Sequence, residues 1–203
     1  MNELTFDPNK TALLIVDMQN DFYHPEGAYG RANCTSPGIA DLPPRIKPVA
    51  DALRAAGGWV VSIQFTLVPG KDGEPYIAPH LKKMRPFLAK GDFAPGSWGQ
   101  SLIDELQPAD LTVEKVAYSA FYQSRLEWLL KKTEVETVLV CGIVTNGGVA
   151  ATLRDAHTRD FHTVLLSDGC GALNEELHNA AITSMSTVAE VLTCGEITKK
   201  LEG

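Results

Sequence analysis

The sequence predicts an α/β protein of three layers, α/β/α, around a mostly parallel, doubly wound sheet of six strands. Two observations lead there. Apolar runs of strand length recur along the chain, and the clearest are apolar throughout, as strands buried on both faces of a parallel sheet are. Between them lie stretches with apolar residues at helical spacing. Strand alternating with helix is the pattern of successive βαβ units, whose right-handed crossovers cover both faces of the sheet.

ALLIVD (12–17) is an apolar run closed by a carboxylate, and WVVSIQF (59–65) is a second. LTVEKV (111–116) is a weaker third, TVLVCGI (137–143) a fourth and TVLLSD (163–168) a fifth. EVLTC (190–194) suits a short edge strand. Of the helices, RIKPVADALRAAG ends at Gly57 and Gly58, a C-capping signal. QSRLEWLLKK, GGVAATLRDAHTRD and NEELHNAAITSMSTVA follow, the last with Asn174 as its N-cap. Segments 22–46 and 68–100, rich in Gly, Pro and aromatics, are too long for plain connections and are candidates for pocket walls or lids. With no internal repeat and no linker, residues 1–203 read as a single domain.

The 203 residues carry 18 Lys+Arg against 25 Asp+Glu, a formal charge of −7, so there is no basic excess to meet nucleic-acid phosphates or an anionic membrane surface. No run approaches the ~20 apolar residues of a membrane span. The N-terminal MNELTFDPNK lacks the basic, apolar, small-residue order of a signal peptide, which gives the expectation of a cytoplasmic protein. Cys34, Cys141, Cys170 and Cys194 show no CxxC or zinc spacing and are expected as free thiols.

Open α/β sheets place ligands at the carboxyl ends of their strands. Asp17 stands there after the first strand. Partial desolvation raises a carboxyl's pKa and suits it to proton transfer, although a capping or loop-bonding Asp fits the same place. Lys115 ends the third strand, where a lysine is uncommon unless it is paired or reaches out to solvent. Paired with Asp17, it would hold the carboxylate and set the proton affinity of both. CGIVTNGGVAATLRDA runs from a strand through a tight turn into a helix. Its glycines permit a close backbone approach, either to a ligand or to the packed helix. The unpaired first-turn N–H groups and the helix dipole can hold an oxyanion or carboxylate. The spacing is neither that of a P-loop nor of a dinucleotide fingerprint.

These three segments, in order, resemble the isochorismatase-like (cysteine hydrolase) superfamily, and the likeness runs from about residue 10 to 195. TALLIVDMQNDF is similar to its first motif, with Asp17 at the acid/base position. EKVAYSAF is similar to the second, with Lys115 as the catalytic lysine, and CGIVTNGGVAATLRDA to the third. The resemblance implies a three-layer α/β sandwich, a hydrolase activity, and a homo-oligomer, dimer or tetramer.

One departure matters more than the matches. Amide-hydrolysing members carry a nucleophilic cysteine in the third motif, where this chain has Gly148. Cys141 lies inside an apolar strand and reads as core. Thr145 and Ser119 bear hydroxyls near the pocket without an evident base. A glycine at this position is similar to the isochorismatases proper, which hydrolyse a vinyl ether without a covalent intermediate. Metal-binding relatives carry an Asp and two close histidines after the second strand. Here QFTLVPGKDGEPY has no histidine before His80, so neither metal nor other cofactor is expected.

The expected ligand is a small carboxylated molecule. The resemblance puts Gln64 where isochorismatases proper have a pocket glutamine, and Arg85 either meets a substrate carboxylate bidentately or is a solvated loop cation. Phe22, Tyr118 and Phe121, with Phe93 and Trp98, are candidate apolar walls, each of which also suits plain core. Val144, Thr145 and Gly147, in the turn, are further candidates for binding the substrate. His24, His157, His162 and His178 show no shared metal-ligand spacing. The Arg154, Asp155, His157 and Arg159 cluster reads as a solvated or subunit-facing stripe. Two alternatives stand beside vinyl-ether hydrolysis. One is an amide or carbamoyl (C–N) hydrolase with a substitute nucleophile, which a thiol reagent would inhibit if that were Cys141. The other is a non-catalytic small-molecule-binding pseudo-enzyme, which would bind without turnover.

Overall fold

The computed structural model describes residues 6–202. Residues 1–5, part of the segment read above for a signal peptide, and residue 203 lie outside the described residues.

Six strands form one sheet: β1 (Thr11–Val16), β2 (Trp59–Phe65), β3 (Leu111–Lys115), β4 (Thr137–Ile143), β5 (His162–Gly171) and β6 (Glu190–Leu192). Their order is β3-β2-β1-β4-β5-β6 and every pairing is parallel. The predicted doubly wound sheet is the one observed. β1 and β4 are buried along their whole length, which is why ALLIV and VLVCGI carry no alternation. The chain leaves β1 in one direction and β4 in the other, so the topological switch point lies between their carboxyl ends.

The main helices are α1 (Pro43–Ala55), α2 (Leu126–Lys132), α3 (Ala150–Thr158), α4 (Glu175–Met185) and α5 (Cys194–Glu202). α1 packs on α5, and α3 on α4, as the two winding directions require. Asn174 caps α4, its side chain accepting from the Leu177 amide at 2.8 Å. Reading EVLTC as a strand reached too far: β6 stops at Leu192 and Cys194 opens α5. Cys194 and Ile197, one helical turn apart, are the buried residues of that helix. No helix among the described residues is long and apolar enough to cross a membrane.

Gly142 is required where β4 passes β1. Its φ is +107°, and a Cβ there would stand 2.1 Å from the Val16 carbonyl oxygen.

The two long segments are organised rather than loose. Phe22, Tyr29, Phe65, Phe87 and Phe93 build a small aromatic core over the end of β2 with Leu67 and Leu88. Buried Asp21 ties them together: one oxygen accepts from the Ala28 amide at 2.9 Å and the other from the Phe93 amide at 2.6 Å. Arg31 and Asp92 add an ion pair at 2.5 Å between the same segments. They wall the carboxyl end of the sheet.

Candidate active site

Asp17 is the first residue beyond β1, with a φ of +56°, which turns the chain out of the strand. It is 5% exposed, and Lys115 at the end of β3 is 3% exposed. Lys115 Nζ lies 2.8 Å from Asp17 Oδ2, donates to the Ala117 carbonyl at 3.0 Å and stands 5.3 Å from the centre of the Phe65 ring. Asp17 Oδ1 is buried with no hydrogen-bond partner among the described residues. Burial pushes the Asp17 carboxyl above the usual range, against the opposing pull of the Lys115 charge. A carboxyl held towards its neutral form beside a fixed ammonium is equipped to give up and recover a proton.

The chain leaves β4 through one π turn, Thr145–Val149, before α3 begins. Such wide turns recur at functional sites. Gly147 N donates to the Val144 carbonyl at 2.9 Å. A Cβ on Gly148 would stand 2.9 Å from Asp17 Oδ2, 3.2 Å from the Ile143 carbonyl and 3.2 Å from a Val16 methyl. Position 148 therefore faces the carboxylate. A Cβ on Gly147 would instead meet a Val144 methyl at 2.9 Å and the Tyr118 ring at 3.3 Å. Thr145 is fully buried and its hydroxyl lies 2.9 Å from His178 Nδ1 on α4, so it is committed away from the carboxylate.

The other candidates divide. Phe22 lies 4.5 Å from Phe93 and 6.2 Å from Phe65, ring centre to ring centre, and so belongs to the wall beside Lys115. Arg85 Nε donates to the Tyr29 hydroxyl at 2.7 Å and Tyr118 stands beside the guanidinium, while the buried Nη1 of Arg85 has no hydrogen-bond partner among the described residues. Burial raises the Tyr29 hydroxyl's pKa, with Arg85 opposing. Gln64 donates to Ser62 two residues earlier on the same strand face, whereas Phe65 and its registered partner Lys115 occupy the other. Phe121 packs on Phe161 at 6.0 Å with the Arg159 guanidinium 4.9 Å from its ring centre, an arrangement that leaves it outside the Asp17–Lys115 contact. Trp98 is half exposed and meets His24 edge-on. The thiol of Cys141 is buried, donates to the Leu14 carbonyl at 3.7 Å and is pushed well up in pKa by burial. All four cysteines are free. Among the described residues no three His, Cys, Asp or Glu side chains gather as a metal site.

Three groups escaped the sequence reading. Gln19 is completely buried: it accepts from the Phe65 amide at 2.7 Å and donates to the Phe65 and Gln100 carbonyls at 2.9 and 2.8 Å, fixing the end of β2. Its signal was a polar residue three places after a buried strand. Tyr29 gave none beyond being aromatic. Asp155 and Arg159, read as part of a solvated or subunit-facing stripe, are half-buried and bonded to the chain: Ser119 Oγ donates to Asp155 Oδ2 at 2.5 Å and Arg159 pairs with the same carboxylate at 3.3 Å. Arg154 and His157 are the exposed members of that stripe. A cleft of about 580 Å³ opens beyond β5, lined by Arg45, Asp168 and His178 among others, away from Asp17 and Lys115.

Comparison with known proteins places this geometry in a family. The family model described as the isochorismatase domain matches residues 11–196. The chain is 34% identical over 196 residues to the ureidoacrylate amidohydrolase RutB of Methylobacterium radiotolerans, covering 91% of this chain and 76% of that protein. Among solved structures, it is similar to a cysteine hydrolase from Pseudomonas syringae pv. phaseolicola 1448A (TM-score 0.84, 26% identity, 97% and 94% of the two chains). It is also similar to N-carbamoylsarcosine amidase from Thermoplasma acidophilum (TM-score 0.71, 25% identity, 91% and 96% of the two chains). A six-stranded parallel sheet with this strand order, matched along most of its length by the family model and by these relatives, establishes that the chain belongs to the isochorismatase family of hydrolases.

Proposed function

We propose that this chain hydrolyses a small carboxylated substrate without a covalent intermediate, by the enol-ether chemistry of isochorismate hydrolysis. The observation that carries the reading is that position 148 faces the Asp17 carboxylate and has no side chain, while Cys141 is buried in the sheet. A covalent acyl intermediate needs a nucleophile at that point. Enol-ether hydrolysis needs only an acid, a means of holding charge, and room.

In this reading protonated Asp17 delivers its proton to the terminal carbon of the enolpyruvyl group. The double-bond electrons form the new C–H bond and leave an oxocarbenium ion, which the Asp17 carboxylate stabilises. Water attacks the cation and returns a proton to Asp17. The resulting hemiketal passes its hydroxyl proton to the ether oxygen and collapses to pyruvate and an alcohol. Lys115 holds Asp17 in place and sets its proton affinity. Arg85, already oriented by Tyr29, keeps Nη1 free for a substrate carboxylate. No metal enters these steps.

The test is pyruvate release from isochorismate, coupled to lactate dehydrogenase. Asp17→Asn, which keeps the shape and removes the acid, is expected to lower turnover by about a thousandfold or more while the far-UV spectrum is unchanged. Undiminished turnover in that variant rules the mechanism out. A second reading has its own support in the identity with ureidoacrylate amidohydrolase. It is C–N hydrolysis with water in place of the thiol. Release of ammonia from ureidoacrylate, without pyruvate release from isochorismate, would select it. Binding of small carboxylates with turnover of neither would select a pseudo-enzyme.

A further inference from the structure

Helix α3 does more than follow the glycine turn. Buried Thr152 and half-buried Asp155 and Arg159 are spaced so that they share one side of the helix. Thr152 Oγ1 accepts from the Ala120 amide at 3.0 Å. Asp155 Oδ2 accepts from the Ser119 hydroxyl at 2.5 Å, and that hydroxyl accepts from the Phe121 amide at 3.1 Å. Arg159 holds Asp155 at 3.3 Å and Glu127 of α2 at 3.0 Å while covering the Phe121 ring. The loop so fastened, residues 117–121, begins with the carbonyl that receives Lys115 Nζ. Position 148 and the second partner of Lys115 are thus held by the same helix.

We propose that Asp155, acting through Ser119, and Thr152, acting through the Ala120 amide, are positioning residues that hold the Ala117 carbonyl and thereby keep Lys115 against Asp17. Neither makes a hydrogen bond or ion pair with Asp17. The assignment rests on Asp17 and Lys115 being the acid/base pair of the proposed function, but not on which bond is cleaved. Ser119 is not a spare nucleophile, because its hydroxyl proton is given to Asp155 and its oxygen is used by Phe121.

Releasing the loop loosens Lys115, and the carboxylate form of Asp17 loses stabilisation. The charged and titratable groups around Asp17 are Lys115 from β3 and the Tyr29, Arg85 and Tyr118 set from the wall and the loop. Only Lys115 makes an ion pair with it among the described residues. The midpoint of Asp17 titration should therefore move upward whether Asp17 serves as an acid or as a base.

The experiment uses the full chain with Ser119→Ala, Asp155→Asn and Thr152→Val. The Asp17 carboxyl is titrated by carbon-13 NMR, and kcat and KM for isochorismate are measured across pH. The expected result is a midpoint raised by about half to one pH unit in each variant. With it comes a kcat lowered about tenfold and a KM within about twofold of wild type. Ser119→Thr, which keeps the hydroxyl, restores both. Glu136→Gln, which breaks the exposed Lys10–Glu136 pair at 2.7 Å, leaves the midpoint unmoved. A midpoint unchanged within about 0.2 unit in folded variants overturns the proposal, as does an Asp155→Asn chain that does not fold, since the contact is then structural. If wild type does not turn over isochorismate, the functional reading fails, and the titration still decides this one.

Discussion

Replacing Lys115 with Met leaves a carboxyl buried without its cation, and the structure says how much this costs and how the cost changes with pH. Asp17 is 5% exposed, and Lys115 at 2.8 Å is its ion-pair partner. A buried carboxylate stripped of its partner protonates rather than remain charged. Taking up a proton at pH 7 on a group whose unfolded pKa is about 3.9 costs about 4 kcal/mol, which caps the ionic part of the loss. At pH 5 the same step costs about 1.5 kcal/mol. The sign follows from proton counting. The variant's Asp17 has its folded pKa raised above its unfolded value, so its contribution to stability is fully present below the unfolded pKa. It is lost as pH rises, by about 1.4 kcal/mol per unit, until the folded pKa is reached. Burial raises the wild-type carboxyl too, but Lys115 opposes the rise. The gap between the two proteins therefore opens from the pH at which wild-type Asp17 ionises. Urea unfolding at fixed protein concentration from pH 5 to 8, with the m-value checked for constancy, measures that gap. A deficit that is flat across this range refutes the reasoning, because the lysine would then be contributing packing rather than charge.

Other outcomes follow from the same geometry. Gly142→Ala places a methyl 2.1 Å from the Val16 carbonyl at a φ of +107°, and should cost about 3 kcal/mol or more, read as a Tm lowered by about 6 to 12 °C. Gly148→Ala puts its Cβ 2.9 Å from Asp17 Oδ2 and displaces the carboxylate. Pyruvate release should fall about a hundredfold while the chain stays folded. If Arg85 holds the substrate carboxylate as proposed, in ground and transition state alike, Arg85→Gln should raise KM about tenfold or more at nearly constant kcat, measured by the same coupled assay. Iodoacetamide under native conditions should leave turnover intact while mass spectrometry shows Cys141 unmodified, since its thiol is buried and its pKa pushed well up.

The sequence reading and the structure agree most closely where one residue's environment is set by its own neighbours in the chain. Runs such as ALLIV and VLVCGI announce strands buried on both faces because no alternation is needed there. Asp17, Lys115 and Gly148 were legible as strand-end residues, and the carboxyl ends of a parallel sheet are where a ligand approaches. Gln64 shows the limit. It shares its strand with Phe65, but the two-residue period of the pleat turns it to Ser62 and away from Lys115. Tyr29 and Arg85, 56 residues apart in the chain, meet through their side chains only because Asp21 and the aromatic core fold two long segments together.

By itself, then, the order of apolar runs determined a parallel, doubly wound sheet, and the three segments at its strand ends determined the family. Both are properties of local pattern and spacing, which a linear chain displays directly. Tertiary structure alone decided that an ammonium from β3 reaches across β2 to a carboxylate beyond β1. It decided as well that position 148 faces that carboxylate, and that Asp155 accepts from Ser119 in the segment following Lys115. Contacts between residues tens of positions apart depend on strand order, register and the direction each side chain leaves the backbone, and none of these is fixed until the sheet has closed around its core.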